Sequence, residues 1–125
     1  MRIAFASNDG ISINQHFGWS EEFYLYEVGM DHAELLKTID SSKEVEGEHE
    51  KLNYKIATIN EADIMYCTQI GPTASKMVQA ARIHPVRVSE GERIDTAIAA
   101  MQEMLSNTPP PWLLRIYHKA QARSA

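Results

Sequence analysis

The chain has 125 residues and a mass of 14.1 kDa, the length of one domain built around one core. It is 44% hydrophobic and 23% charged, ordinary for a globular chain and unlike disordered, collagen-like or membrane-spanning sequences. Seventeen acidic against twelve basic residues give a net charge of -5 with no long Lys/Arg run, so a nucleic-acid backbone is on average repelled.

The apolar run of residues 2–7 ends in Asn8-Asp9-Gly10 and predicts a buried strand running into a turn. It is too short for a signal peptide, and no later stretch approaches the roughly 20 residues of a spanning helix, so a cytoplasmic protein is expected. Residues 23–28 and 33–39 predict two further strands joined by a turn at Gly29 to His32. Leu35, Leu36 and Ile39 would also fit one helical face, but the segment is short and follows the turn closely, which favours strand. After a Ser-, Gly- and Glu-rich loop over 41–48, Leu52, Ile56 and Ile59 recur at i, i+4, i+7 and predict a helix over about 48–60. A short strand over 62–66 leads to Cys67. Gly71-Pro72 then opens a helix over 72–82, with Pro in its first turn and Ala74, Met77, Val78 and Ala81 inward. Residues 85–88 predict a fifth strand. Ser89-x-x-Glu92 has capping-box spacing for a helix whose Ile94, Ala97, Ile98, Met101 and Leu105 face the core.

The order βββαβαβα predicts an α/β domain over 1–106, a ribonuclease H-like three-layer fold with a mixed five-stranded sheet and helices on its faces. Asn107-Thr108-Pro109-Pro110-Pro111 breaks the last core helix, leaving 107–125 as a Pro-rich linker and a short amphipathic tail. Trp112, Leu113, Ile116 and Tyr117 form an apolar stripe there, which either packs back or docks on a partner, with docking slightly favoured.

In open α/β sheets ligands gather at the carboxyl ends of parallel strands. That rule brings the loop carrying Asn14, Gln15, His16, Phe17 and Gly18 to the same rim as Cys67 and Gly71. His16 is either a metal ligand or a loop histidine bonding backbone while Phe17 plugs the core. Cys67 is either a second ligand or a small buried hydrophobe. Two soft or borderline donors beside the N-terminus of a helix would suit an anionic metal cluster. One cysteine cannot build an all-cysteine cluster site or an internal disulfide. His32, His49, His84 and His118 lack metal-site spacing and read as solvated surface, and Glu44, Glu46, Glu48 and Glu50 as a hydrated loop and helix start. Asp9 follows the first strand, Asp63 begins the fourth at the opposite sheet edge and Glu27 lies near the end of the antiparallel second strand, so no carboxylate triad assembles for a two-metal nuclease site, which ranks behind the other readings. Neither phosphate-binding glycine motif occurs.

The segments Arg2-Ile-Ala-Phe-Ala-Ser-Asn-Asp-Gly, Asn14-Gln15-His16-Phe17-Gly18, Phe23-Tyr-Leu-Tyr-Glu-Val, Tyr66-Cys67-Thr-Gln-Ile-Gly-Pro-Thr-Ala74, Pro85-Val-Arg-Val-Ser-Glu-Gly91 and Pro111-Trp112-Leu113 resemble the nitrogenase iron-molybdenum cofactor biosynthesis family over nearly the whole chain. The resemblance implies a non-enzymatic carrier or storage protein. Its cargo would be an iron-sulfur precursor of the cofactor, of the NifB-co type, or the cofactor itself, bound transiently with His16 and Cys67 as ligands. Its partners would be the cofactor scaffold and the precursor-synthesising enzyme, with apo-dinitrogenase a further candidate. A cluster that keeps its own sulfides needs few protein ligands in transit, which fits one cysteine. The competing expectation is a regulatory or scaffold protein of nitrogenase assembly that binds no cluster.

Overall fold

The structure is a computed structural model describing residues 1–124. Its centre is β1 (Arg2–Ala6), which pairs antiparallel with β3 (Glu22–Val28) on one side and parallel with β5 (Ile64–Cys67) on the other. The edges are β4 (Ala33–Asp40), antiparallel to β3, and β6 (His84–Arg87), parallel to β5, giving a mixed five-stranded sheet of order β4-β3-β1-β5-β6. Both faces of β1 are covered, which is why it reads as an unbroken apolar run. Ala4 and Ala6 pack with Leu52 and Ile56 of α1 (Glu48–Thr58) and Ala74 and Val78 of α2 (Pro72–Ala80). Ile3 and Phe5 pack with Ile94, Ala97, Ile98, Met101 and Leu105 of α3 (Ile94–Ser106) on the opposite face. Three layers result, because each helix has one apolar stripe to bury.

The ambiguous segment at 33–39 is a strand. Leu35 and Leu36 remain exposed, and a register shift between Leu25 and Tyr26 marks where β4 and β3 slip past one another. Ala81 falls on the C-cap of α2 and is exposed rather than inward.

Three expectations fail for tertiary reasons. The Ser89-x-x-Glu92 spacing caps nothing: the Glu92 N–H bonds the Ser89 carbonyl at 3.2 Å, closing a turn. Glu92–Arg93 then forms β7, a two-residue strand pairing with β2 (Ser12–Ile13), and α3 starts at Ile94, whose N–H is taken by the Ile11 carbonyl at 2.9 Å. The tail, expected to favour docking elsewhere, lies on its own domain. Pro111 is the first residue of α4 (Pro111–Ser124), a position where a missing N–H costs nothing. Leu113 and Ala120 are buried in the α3 face of the core. Trp112 stacks on His84, with ring centroids 4.1 Å apart, so His84 is half-buried with its pKa lowered by desolvation rather than a solvated surface group.

Candidate functional site

The loop leaving β1 is built almost entirely from its own polar side chains. The Asp9 carboxylate accepts the N–H groups of Ile11 and Ser12 at 2.8 and 2.9 Å, bonds that hold its pKa down at about 2. Gly10 turns the chain at φ +74°, where a Cβ would stand 2.8 Å from the Tyr24 ring. Asn14 donates to the Asn8 side chain at 2.8 Å and accepts the Asn8 N–H at 3.1 Å. The β2–β7 ribbon pins this loop to the start of α3.

Beyond Asn14 the loop is laced to the segment that leaves β5. The Thr68 N–H donates to the Gln15 carbonyl at 3.0 Å, and the Phe17 N–H to the Gln69 carbonyl at 2.9 Å. Residues Phe17–Trp19 then form one 3-10 turn, with Phe17 fully buried against Phe23 and the core. Burying Phe17 leaves its neighbours His16 and Trp19 on the outside. Their rings stack with centroids 4.3 Å apart and planes 7° from parallel. Among the described residues no hydrogen bond reaches the His16 ring nitrogens.

His16, Gly18 and Trp19 form one wall of an open cleft of about 450 Å³ whose other walls are the first turn of α2 and the start of α1 with Glu48. A Cβ placed on Gly18 or Gly71 would meet no atom within 4 Å, so both glycines border free space. α2 has no side-chain cap, and in its first turn the N–H groups of Thr73 and Ala74 lack intrahelical acceptors, which gives this wall a partial positive charge. The cleft sits at the carboxyl ends of β1 and β5, where the chain departs toward β3 on one side and α2 on the other.

The expected site residues divide by depth. His16, Gly18 and Gly71 line the cleft. Asn14 and Gln15 bond within the loop, Gln15 Nε2 donating to the Asn14 carbonyl at 3.1 Å, and Phe17 fills the core. Cys67 lies beneath the turn, fully buried beside Phe17, and burial pushes its thiol up to about 11, although Arg87 and the backbone N–H groups of Phe17 and Gln69 oppose the shift. A protonated, covered thiol is a poor ligand in this conformation. Among the described residues no cluster of three His, Cys, Asp or Glu side chains is placed to hold a metal.

Sequence reasoning missed Trp19, whose adjacency to His16 gave no sign of stacking. It also missed Lys55 behind the turn: its ammonium is buried and donates to the carbonyls of Ser20 at 2.5 Å and Ser41 at 3.0 Å, tying the 3-10 turn and the end of β4 to α1. Desolvation, then the nearby Lys51, lowers its pKa, with Glu21 opposing.

Residues 1–104 match the family described as dinitrogenase iron-molybdenum cofactor, and the chain belongs to that family, which ties it to iron-molybdenum cofactor biosynthesis. It is similar to Protein NifX of Herbaspirillum seropedicae, 34% identical over 125 residues that cover 98% of this chain and 86% of that protein. Protein NifX of Azotobacter vinelandii is 33% identical over 97% of this chain and 77% of its own length. FeMo cofactor biosynthesis protein NifB of Frankia alni is 29% identical over 87% of this chain, a match that spans 22% of that longer protein. Among solved structures, the crystal structure of PH0822 is similar in fold, with a TM-score of 0.63 at 22% identity over 82% of this chain and 90% of that one. No helix among the described residues is long and apolar enough to cross a membrane.

Proposed function

We propose that this protein is a cytoplasmic carrier, not a catalyst, that holds an iron-sulfur precursor of the iron-molybdenum cofactor in the His16 cleft and passes it between the precursor-synthesising enzyme and the cofactor scaffold. One observation carries the reading: the His16 imidazole and the uncapped first turn of α2 face the same open cleft. An iron-sulfur cargo is anionic and its iron accepts a nitrogen donor. A helix N-terminus and an unbonded imidazole therefore supply attraction and one coordinate bond without enclosing the cargo. Glu48 on the far wall opposes an anion, which keeps the hold weak enough for transfer. Cys67 would join as a second ligand only if the Phe17 turn lifted from it. The strand order, with β1 antiparallel to β3 and parallel to β5, supports a ribonuclease H-like fold for this carrier.

The test is anaerobic incubation with the isolated precursor, then gel filtration and iron quantification. Iron should co-elute with the parent protein. His16→Ala should lose most of it while unfolding within about 0.5 kcal/mol of the parent, because the side chain is a loop group outside the core. Cys67→Ser should retain iron. A parent protein that takes up no iron would support instead a regulatory protein that binds no cluster, the reading that burial of Cys67 favours.

A further inference from the structure

The amino ends of the parallel strands carry a second concave surface, remote from the His16 cleft. Residues 107–125 contain Arg115, Lys119 and Arg123 and no Asp or Glu, whereas the preceding residues hold nine Lys or Arg against seventeen Asp or Glu. Where α4 crosses the loop before β5 and the end of α2, a groove of about 490 Å³ is lined by Arg82, Arg115, Lys119 and Arg123, with Ile116 as its apolar part and Asp63 and Glu61 on its wall.

Both carboxylates are committed. Asp63 takes both terminal nitrogens of Arg123 at 2.8 and 2.9 Å and the backbone N–H of Arg2 at 2.8 Å. Glu61 pairs with Lys37 at 2.5 Å and with Arg2 at 3.5 Å. Arg82, Arg115 and Lys119 have no acceptor among the described residues, so the groove presents three uncompensated cations on a chain of net charge -5. Arg82 stands at an unusual place. It follows the C-cap of α2 at φ 65°, with its N–H bonded to the Gln79 carbonyl at 2.9 Å and that of Ile83 to Val78 at 3.1 Å, a helix-ending motif whose left-handed residue is ordinarily Gly. A long cation is held there against backbone preference and lines the groove.

We infer that this groove docks an extended acidic segment of a partner protein. Arg115 and Lys119 are one helical turn apart, about 6 Å along α4, and an extended chain presents alternate side chains about 6.6 Å apart. Carboxylates at alternate positions would therefore meet successive cations, while the intervening side chains point away from α4. A segment bound here leaves the His16 cleft open, since the two surfaces lie at opposite ends of the parallel strands. The inference goes beyond the carrier reading and does not depend on it.

The test is fluorescence anisotropy of a labelled short peptide of alternating Glu and Ser, titrated with the full chain at low salt. Saturable binding is expected, weakened at least about tenfold by Arg115→Glu with Lys119→Glu, weakened by added salt, and unchanged by His16→Ala. The double variant should keep its circular dichroism, because both side chains are exposed. Absence of binding to the parent protein, or equal binding to the double variant, overturns the inference. So does displacement of the peptide by pyrophosphate or by an oligothymidine at lower concentration than by unlabelled peptide, which would reassign the groove to a small phosphate anion or to nucleic acid.

Discussion

The two ends of the parallel strands are built on opposite terms. At the amino ends the fold ties off its backbone and carboxylates: the Met1 ammonium donates to the Val28 carbonyl and pairs with Glu27, both at 2.9 Å, Asp63 joins β1 to α4, and Leu113 and Trp112 seal the helix onto the core. At the carboxyl ends the polar groups are left open. Among the described residues, α2 starts without a side-chain cap, the His16 ring has a stacking partner but no hydrogen bond, and the buried Thr68 hydroxyl finds no partner. Unmet donors reduce stability and are what a ligand can use. The packing that stabilises the fold and the His16 cleft are therefore placed at opposite ends, and each can be perturbed with little effect on the other.

The largest expected effect is at the stabilising end. Leu113 is fully buried, so Leu113→Ala should cost about 3 kcal/mol in urea unfolding, the transfer term plus the cavity left under α4. Iron co-elution of the folded fraction should stay at the parent level. If retention fell in proportion to stability, the two ends would be coupled.

Cys67 offers the next test, from the binding end. Its thiol is raised from 9.0 to about 11 by burial. The folded chain keeps a proton that the unfolded chain gives up, so this contribution is complete below pH 9 and is lost as pH climbs through 11. About two pKa units correspond to about 2 to 3 kcal/mol. Urea midpoints of the parent should fall relative to Cys67→Ala between pH 9 and 11. Tyr66, raised to about 12 chiefly by burial, should add a further fall above pH 10 in both proteins. A parent curve parallel to that of Cys67→Ala, with rapid thiol labelling at neutral pH, would place the sulfur at the surface and return it to the list of ligands.

How much of this was legible follows from distance along the chain. The periodic stripes of α1 and α3 and the apolar run of β1 are local patterns, and they emerge where the sequence puts them. The rim holding His16 and Gly71 was also accessible, because strand order alone brings those loops together. Contacts between short or distant segments were not. The β2–β7 ribbon rests on two residue pairs roughly eighty positions apart, too short for any periodicity, and it displaces the apparent capping box. His84 read as solvated because its cover, Trp112, comes 28 residues later, after three prolines that suggested separation. The depth of Cys67 depends on Phe17 folding over it, a consequence of one 3-10 turn.

Lys55 is the hinge between structure and site, and Lys55→Met perturbs both at once. Methionine fills the space but donates nothing, leaving the Ser20 and Ser41 carbonyls without their shared donor. The desolvation of the ammonium, evident in its lowered pKa, is relieved by the same change, so the net cost should be about 1 to 2 kcal/mol. Because Ser20 ends the turn that positions His16, iron retention should drop more than this modest loss implies. Retention equal to the parent would mean that the turn is held by Phe17 alone.

The smallest effect has the opposite sign. Arg82 occupies left-handed backbone at φ 65°, and its side chain is exposed. Arg82→Gly removes a steric cost of about 1 kcal/mol but gives the unfolded chain more freedom, so a net stabilisation of about 0.5 kcal/mol is expected. The same change deletes one of the three uncompensated cations of the groove, so the acidic peptide should bind more weakly to a more stable protein. Arg82→Asn separates the two causes, since Asn tolerates the left-handed region without carrying charge: peptide affinity should match that of Arg82→Gly, with stability nearer the parent. If Arg82→Gly proved clearly destabilising, the arginine side chain would be making a contact that outweighs its backbone strain, and the amino end would owe its stability partly to the residue assigned here to binding.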